Sequence, residues 1–263
     1  MPKRESARRN DGTTPLPGLR LEGSSPALAS RLAAEWTRAG QLEHASIAAF
    51  ARFALELVAL GAPADLVADA TRAMADEIEH ARLCFALASR YAGRSVGPST
   101  LDVSGALDGV SLSSAVTSAV IEGCVGETLA AIEAAEVAEY AVEPVIHSAL
   151  LRIAEDEGRH SALAWRFVRW ALGQGDATLA RLVEETFERA ALEFQGPVTV
   201  ADVPHPDADA ALIGSGVLSQ RLRRALRSNA FTEVVEPCAR ALLERAALDR
   251  RFAPVAPLRR TLA

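Results

Sequence analysis

The chain has 263 residues, enough for one large domain with a substantial core or for a domain with an extension. Hydrophobic residues make up 49% of the chain but aromatic residues only 5%, so its apolar content is mostly Ala, Leu and Val, and we expect an all-α protein. The formal net charge of −6 gives no general reason to expect nucleic acid as a partner.

The three cysteines, Cys84, Cys124 and Cys238, are an odd number without close spacing. This pattern argues against a disulfide framework and favours a cytoplasmic location. No run of eighteen apolar residues occurs, so we expect no membrane-spanning segment. The basic N-terminus is not followed by an apolar stretch, so we do not expect a secretory leader.

The first predicted elements are a tail and two helices. Residues 1–24 mix polar residues, Gly and Pro without periodicity, which predicts a disordered tail. Ser25 followed by Pro26 is typical of a helix start, and this first helix is expected to reach about residue 60, with a bend considered at Gly40. After a short turn, a second helix is expected to continue to about residue 91, because Gly93 follows it as a C-terminal cap.

A long connection separates this pair of helices from the next pair. Residues 93–108 are rich in Gly, Ser and Thr and are too long for a hairpin between neighbouring helices, which indicates a crossover. A third helix is expected over about 112–141, a break near Pro144, and a fourth helix to about residue 172. The sequence therefore predicts a four-helix bundle over residues 25–173.

Residues 174–263 are expected to form a helical C-terminal extension. A fifth helix is predicted over 176–194, followed by a Pro-containing interruption and two weaker helices near 217–227 and 232–248. The basic segment 250–263 is expected to be extended. We assign no mechanism to this extension, which is expected to cover one face or end of the bundle or to form an oligomer contact.

A five-residue pattern occurs twice, as Asp-Glu-Ile-Glu-His at 76–80 and as Asp-Glu-Gly-Arg-His at 156–160. The Glu and the His of each copy are three residues apart, so on a helix they leave one face about 60° apart. One metal ion can therefore be bound by both side chains. The candidate ligands in the two copies are Glu77, His80, Glu157 and His160.

A lone glutamate in an apolar, small-residue helix precedes each copy. Glu43 lies 34 residues before Glu77, and Glu127 lies 30 residues before Glu157. The residues around the candidate ligands are apolar, which favours buried positions over an exposed acidic helix face. Four buried carboxylates would cost several kcal/mol each without compensation, and two divalent cations would cancel their charge.

The order Glu, Glu-x-x-His, Glu, Glu-x-x-His resembles the ferritin-like di-iron carboxylate superfamily, which includes bacterioferritin, rubrerythrin, the ribonucleotide reductase small subunit and bacterial multicomponent monooxygenases. The resemblance covers about residues 27–172. Residues 156–160 match the family's Asp-Glu-x-Arg-His form in full, whereas residues 76–80 have Glu79 at the Arg position. The resemblance implies a ferritin-like four-helix bundle with six metal ligands, namely Glu43, Glu77, His80, Glu127, Glu157 and His160.

The resemblance also implies roles for these residues. Glu77 and Glu157 would bridge two metals, Glu43 and Glu127 would be terminal ligands, and His80 and His160 would bind one metal each. Oxygen-rich ligation with two imidazoles suits two iron ions, or alternatively two manganese ions, better than zinc or calcium.

Three acidic residues near the motifs have open roles. Asp76 and Asp156 either hold the imidazoles by hydrogen bonds or are exposed helix acids. Glu122 lies 35 residues before Glu157 and is an alternative to Glu127. We prefer Glu127 because aligning it with Glu43 also aligns the small residues that follow. The two glutamates would point about 140° apart on a helix, so we do not expect both to bind.

Three enzymatic functions suit such a site. The first is an oxidase or oxygenase that activates O₂ on a small organic substrate, supplied with electrons by a donor protein. The others are a ferroxidase of the iron-storage type and a dimanganese catalase or peroxidase acting on peroxide. We favour the first, because the extension exceeds what a storage subunit needs. Small residues near the ligands, such as Gly123 and Ala164, either leave room for a molecule or only allow close helix packing, and the sequence does not separate these two interpretations. A helical bundle without enzymatic activity is the least favoured of the functions considered. The sequence leaves open whether the chain forms a homo-oligomer.

Overall fold

A computed structural model describes residues 25–194 and 206–251, and in these ranges the chain is helical with no strand. The all-α prediction is confirmed. The predicted disordered tail and most of the predicted extended segment at 250–263 lie outside the described residues. The α-helices are α1 (Pro26–Ala59), α2 (Ala64–Ala92), α3 (Leu112–Ser118), α4 (Thr128–Tyr140), α5 (Pro144–Gln174), α6 (Ala177–Phe194), α7 (Pro206–Gly214), α8 (Gln220–Ala230) and α9 (Glu236–Arg251).

The ends of α1 and α2 follow from their capping residues. The hydroxyl of Ser25 accepts a hydrogen bond from the Leu28 N–H at 3.2 Å, and Pro26 occupies the first helical turn. Gly93 ends α2 in the left-handed conformation with φ 64°. α1 is one unbroken helix through Gly40, where an added Cβ would lie 3.0 Å from the Phe85 ring. Gly40 therefore allows α1 to approach α2 closely.

The third predicted helix is a composite of three elements. A π-helical segment, Ala119–Glu127, lies between α3 and α4 and is continuous with both. The sequence predicted one helix here but not the wider winding. π-Helical turns occur frequently at functional sites, and this segment ends on the candidate ligand Glu127.

The same stretch, Leu112–Tyr140, is long and apolar enough to cross a membrane by length and composition, although no such segment was expected from the sequence. Only 44% of its most apolar window is buried inside the protein. A core helix can pass the same test, and this stretch packs along α5 and contacts α6 and α8. The feature is therefore weak support for a membrane span.

Two helix pairs define the centre of the molecule. α1 packs along α2, the stretch Leu112–Tyr140 packs along α5, and α2 contacts α5. Two apolar clusters fill the space between these helices. One contains Leu57, Val120 and Phe167, and the other contains Leu32, Leu87 and Ile146. The candidate ligands occupy the helical turns between the two clusters.

The extension packs against the side of this core. α6 contacts α3 and the π-helical segment, α9 contacts α5 and α6, and α8 contacts α4. α7 was not predicted from the sequence, because the prolines around residue 206 indicated only a break. The helix predicted at 217–227 lies at Gln220–Ala230. The last predicted helix is α9 together with a second π-helical segment, Phe231–Val235.

Candidate metal centre

The structure brings the six predicted ligand residues together. Glu43 lies on α1, Glu77 and His80 on α2, Glu127 at the end of the π-helical segment, and Glu157 and His160 on α5. Both Glu-x-x-His pairs are at most 3% exposed. Glu43 and Glu127 are partly buried.

These residues form two overlapping groups of side chains. Ligand atoms of Glu43, Glu77, His80 and Glu157 all lie within 4.8 Å of one another, and those of Glu77, Glu127, Glu157 and His160 do the same. Glu77 and Glu157 belong to both groups. Each group thus contains one histidine, one glutamate of its own and two shared glutamates, and each could hold a metal ion.

The two imidazoles turn the same ring nitrogen toward the carboxylates. Nδ1 of His80 lies 3.4 Å from Glu157, 3.7 Å from Glu77 and 3.8 Å from Glu43. Nδ1 of His160 lies 3.0 Å from Glu77 and 3.1 Å from Glu157. Each Nδ1 is therefore directed into one of the two groups.

The other ring nitrogen of each imidazole meets an aspartate from the opposite helix. Nε2 of His80 on α2 lies 2.9 Å from Asp156 on α5, and Nε2 of His160 on α5 lies 3.3 Å from Asp76 on α2. A carboxylate at Nε2 favours a proton there and leaves the Nδ1 lone pair for a metal. The sequence left two roles open for Asp76 and Asp156. This arrangement matches the role of holding the imidazoles by hydrogen bonds and not that of exposed helix acids.

Arg159 links these two aspartates. Its guanidinium donates hydrogen bonds to both Asp76 and Asp156. The first motif has Glu79 at the corresponding position, and Glu79 instead forms an exposed ion pair with Arg82 at 2.9 Å. One arginine therefore serves both halves of the site.

Several buried polar atoms in the cluster have no hydrogen-bond partner among the described residues. They are both carboxylate oxygens of Glu77 and Nδ1 of His80. The 3.0 Å contact of Glu77 with His160 does not have hydrogen-bond geometry. Buried polar atoms are normally paired, and a divalent cation between these lone pairs would satisfy them. The donor set therefore fits a metal.

The pKa values describe a site that attracts positive charge. Burial and the neighbouring Glu77 and Glu157 raise the pKa of Glu43 well above its usual value, and burial with Glu157 does the same for Glu127. Burial opposes the protonation of both imidazoles. The surrounding carboxylates outweigh it and raise the pKa of His80 to about 11 and that of His160 to about 9.

Glu122, the alternative to Glu127, lies outside both groups. Its side chain is 49% exposed and pairs with Arg52 of α1 at 2.6 Å. Arg52 also lies 3.6 Å from Glu56. Burial raises the pKa of the Glu56 carboxyl. The structure thus directs Glu122 to an ion pair at the surface and Glu127 toward Glu157.

Two cavities, which sequence patterns alone did not locate, adjoin the cluster. Cavity A, about 260 Å³, reaches Glu43, Glu127 and Glu157 and is closed on one side by residues of the extension. Cavity B, about 370 Å³, reaches Glu127 and His160. Its walls are mostly apolar or small, including Phe50, Phe53, Gly123, Gly126 and Ala164.

Cys84 lies in the wall of cavity A beside the cluster. Burial and the nearby Glu43 raise the pKa of its thiol well above the usual value, so the thiol stays protonated. Cys124 is also buried with a raised pKa, again chiefly because of burial. Both behave as small buried side chains.

Comparisons of this chain with family models, with curated proteins and with solved structures find no match.

Proposed function

We propose that this protein is a di-iron carboxylate oxidoreductase of the ferritin-like type, which uses O₂ or peroxide to oxidise a small organic molecule. The observation that carries the proposal is the pair of overlapping ligand groups that share Glu77 and Glu157. Four carboxylates and two imidazoles suit iron, with manganese as the alternative. Glu77 and Glu157 are the proposed bridging ligands, and Glu43 and Glu127 the proposed terminal ligands.

The helix arrangement supports a ferritin-like four-helix bundle. Two long helix pairs are joined by residues 93–111, which contain no helix. Each of the four helical stretches contributes to the ligand set, two with a Glu and two with a Glu-x-x-His pair. Ferritin-like carboxylate proteins are built in this way.

Two iron ions held in this way would supply the electrons that reduce O₂ or peroxide. The residues of the chain would perform the remaining tasks. The four glutamates would neutralise the cations, and Asp76 and Asp156 would fix the tautomer and orientation of the imidazoles. The apolar walls of cavity B would exclude water from the ligand side next to His160.

The cavities support an organic substrate over iron storage. Both reach side chains of the ligand set, and together they leave space on two sides of the cluster. A ferroxidase needs a route for iron but no pocket for an organic molecule. Turnover on a substrate would need an external reductant, which supports an electron-donor protein as partner.

The metal content of the purified protein tests the site. We expect close to two iron or manganese ions per chain, and we expect Glu77→Ala to lose both, because this residue belongs to both groups. His160→Ala should lose one or both ions. Glu79→Ala is the matched control, since this glutamate lies in the same motif but pairs with Arg82 at the surface. An unchanged metal content in Glu77→Ala rejects the proposal.

Iron oxidation tests the choice between functions. We expect the metal-free protein to oxidise about two Fe²⁺ per chain in air and then to stop until a reductant is added. Continued oxidation with growth of an iron mineral would indicate storage. Rapid release of O₂ from peroxide by a manganese-loaded sample would indicate a catalase.

A further inference from the structure

Cavity A changes in character from the ligand cluster to its rim. Three residues of the ligand cluster line it, namely Glu43, Glu127 and Glu157, and we call this part its floor. Its walls are largely apolar and include side chains of α1, α4, α5 and the segment before α8. Its rim is charged. The rim residues are Glu35, Arg38, Glu133, Arg223 and Arg227.

The helical positions give the depth of this cavity. Glu133 at the rim lies six residues after Glu127 at the floor, which corresponds to about 9 Å along a helix. Glu35 at the rim lies eight residues before Glu43, which corresponds to about 12 Å. A molecule held at the rim can therefore reach the ligand layer only through an apolar body several carbons long.

Two arginines of α8 converge at the rim. Nε of Arg223 and Nε of Arg227 each donate a hydrogen bond to Glu133, both at 2.7 Å. Both hydrogen bonds use Nε, so the other donors of each guanidinium are on its terminal nitrogens, of which Nη1 of Arg223 also lies 3.8 Å from Glu35. The three arginines of the rim outnumber its two glutamates, so the rim carries one net positive charge. Two divalent cations would neutralise the four glutamates of the cluster, and the positive rim would then attract an anion.

Trp36 adds an unsatisfied donor to the wall of the same cavity. The residue is 4% exposed, and its indole N–H has no hydrogen-bond acceptor among the described residues. Buried indole N–H groups usually find a partner. The nitrogen itself is fully buried, so the indole ring and not its N–H is what a molecule in cavity A would contact.

We infer that cavity A binds a small carboxylic acid with an apolar body, held by Arg223 and Arg227 with its carbon chain directed toward the ligand cluster. This inference rests on the proposed function and names the substrate class of that site. The cavity volume of about 260 Å³ equals the space of about nine liquid waters, which limits the ligand to a small molecule. The extension thereby gains a function, because α8 supplies the residues that select the substrate.

A purely structural role for the two arginines predicts a different outcome. If Arg223 and Arg227 only attach α8 to Glu133 of α4, their loss should weaken every ligand of cavity A equally. Arg221 provides the matched control, because it lies on the same helix and pairs with Asp209 at 2.7 Å but does not line the cavity.

The first test compares octanoate with the uncharged octanamide by calorimetry on manganese-loaded protein. We expect Arg227→Gln to weaken octanoate binding by about tenfold to a hundredfold, because hydrogen bonds to a charged group are lost. Octanamide binding should change less than about twofold, and Arg221→Gln should leave both ligands unchanged. Equal losses for the two ligands in Arg227→Gln, or a similar loss in Arg221→Gln, would overturn the inference.

The second test determines the orientation of octanoate from the relaxation of its protons by bound Mn²⁺. We expect the protons far from the carboxylate to relax fastest, since the carbon chain points toward the metals. Fastest relaxation next to the carboxylate would mean that the acid binds the metals directly, which contradicts the inference.

Metal analysis of the same samples separates the two proposals. A protein that holds two metals but does not bind octanoate rejects the carboxylate pocket alone. A protein that holds no metal rejects the proposed function and, with it, this substrate assignment.

Discussion

Each imidazole of the cluster depends on a residue from the other half of the chain. Asp156 accepts a hydrogen bond from Nε2 of His80, and Asp76 does so from His160. The aspartates fix the side of the ring that carries the proton, so Nδ1 remains available to a cation. They are positioning residues, since they do not belong to either ligand group.

Replacing Asp156 by Asn should weaken metal binding by about tenfold to a hundredfold, because the amide is a weaker acceptor and no longer fixes the tautomer. Competition with a chelator of known affinity measures this effect. Glu155→Gln is the control, since that neighbouring side chain is exposed and only approaches Arg159 at 3.7 Å. Equal affinities for both variants would show that Asp156 does not support the site.

The raised pKa values predict that metal binding releases protons. At pH 7.5 His80, with a pKa of about 11, and His160, with a pKa of about 9, are protonated in the metal-free protein. Both must lose a proton to bind a cation, and any proton on Glu43 or Glu127 must also leave. We expect the release of about two to four protons per chain.

Calorimetry of metal binding in buffers of different ionisation enthalpy counts these protons. Because protons compete with the cations, the apparent affinity should rise as the pH increases from 6 toward 9. Metal binding without proton release would mean that the imidazoles are already neutral in the metal-free protein.

At the scale of elements, the π-helical segment contains a close contact between the third helical stretch and α5. Gly123 lies in this segment, and a Cβ added to it would overlap the side chain of Ala164 on α5. The two helices therefore approach at a point where only glycine fits. This contact lies in the wall of cavity B next to the ligand cluster.

Gly123→Ala should destabilise the protein by about 1–3 kcal/mol, because the added methyl group forces the two helices apart. Chemical denaturation of the metal-free protein measures the change. Gly158→Ala is the matched control, since Gly158 is a helical glycine of α5 with no atom within 4 Å of an added Cβ. This control should stabilise the protein by up to about 1 kcal/mol, through helix propensity. Equal effects of both changes would contradict the close approach at Gly123.

The sequence predicted most helices within a few residues because capping residues and apolar periodicity are local signals. Ser25, Pro26 and Gly93 define the ends of α1 and α2 as expected. The π-helical winding of Ala119–Glu127 could not be predicted in this way, because Gly123 and Gly126 lower the helix propensity of this segment but do not specify a wider helix. α7 was missed because its first residue is Pro206, and proline can either break a helix or begin one.

At the scale of the whole molecule, the ligand cluster divides the core. Each long helix passes from one apolar cluster through the ligand layer to the second apolar cluster. The ligand layer therefore places charged side chains in the middle of an otherwise apolar core. Cations that bind only the folded protein should therefore stabilise it. Their removal should leave a protein with protonated imidazoles in place of metals.

Free metal at about a hundred times its dissociation constant should raise the free energy of unfolding by about 2.7 kcal/mol for each independent site. Thermal unfolding with and without a chelator measures this increment. Glu77→Gln should abolish most of it, because both groups share Glu77, whereas the exposed Glu79→Gln should retain it. An increment that survives in Glu77→Gln would place the metals elsewhere.

Helical periodicity predicted that the Glu and the His of each motif leave one helix face, and the resemblance to ferritin-like carboxylate proteins implied that the four segments meet at one centre. The sequence could not predict the crossed pairing of Asp76 with His160 and of Asp156 with His80, which depends on how α2 faces α5. The sequence also could not predict that α8, which begins 60 residues after His160, closes cavity A.

The crossed aspartates make the two halves of the core interdependent. A backbone cleavage within residues 94–110 would leave each fragment with its lone glutamate and its complete Glu-x-x-His pair. Neither fragment would retain the aspartate that orients its own histidine, and each would lack the glutamate shared from the other half. Metal binding by a mixture of the two fragments would then depend on their reassociation.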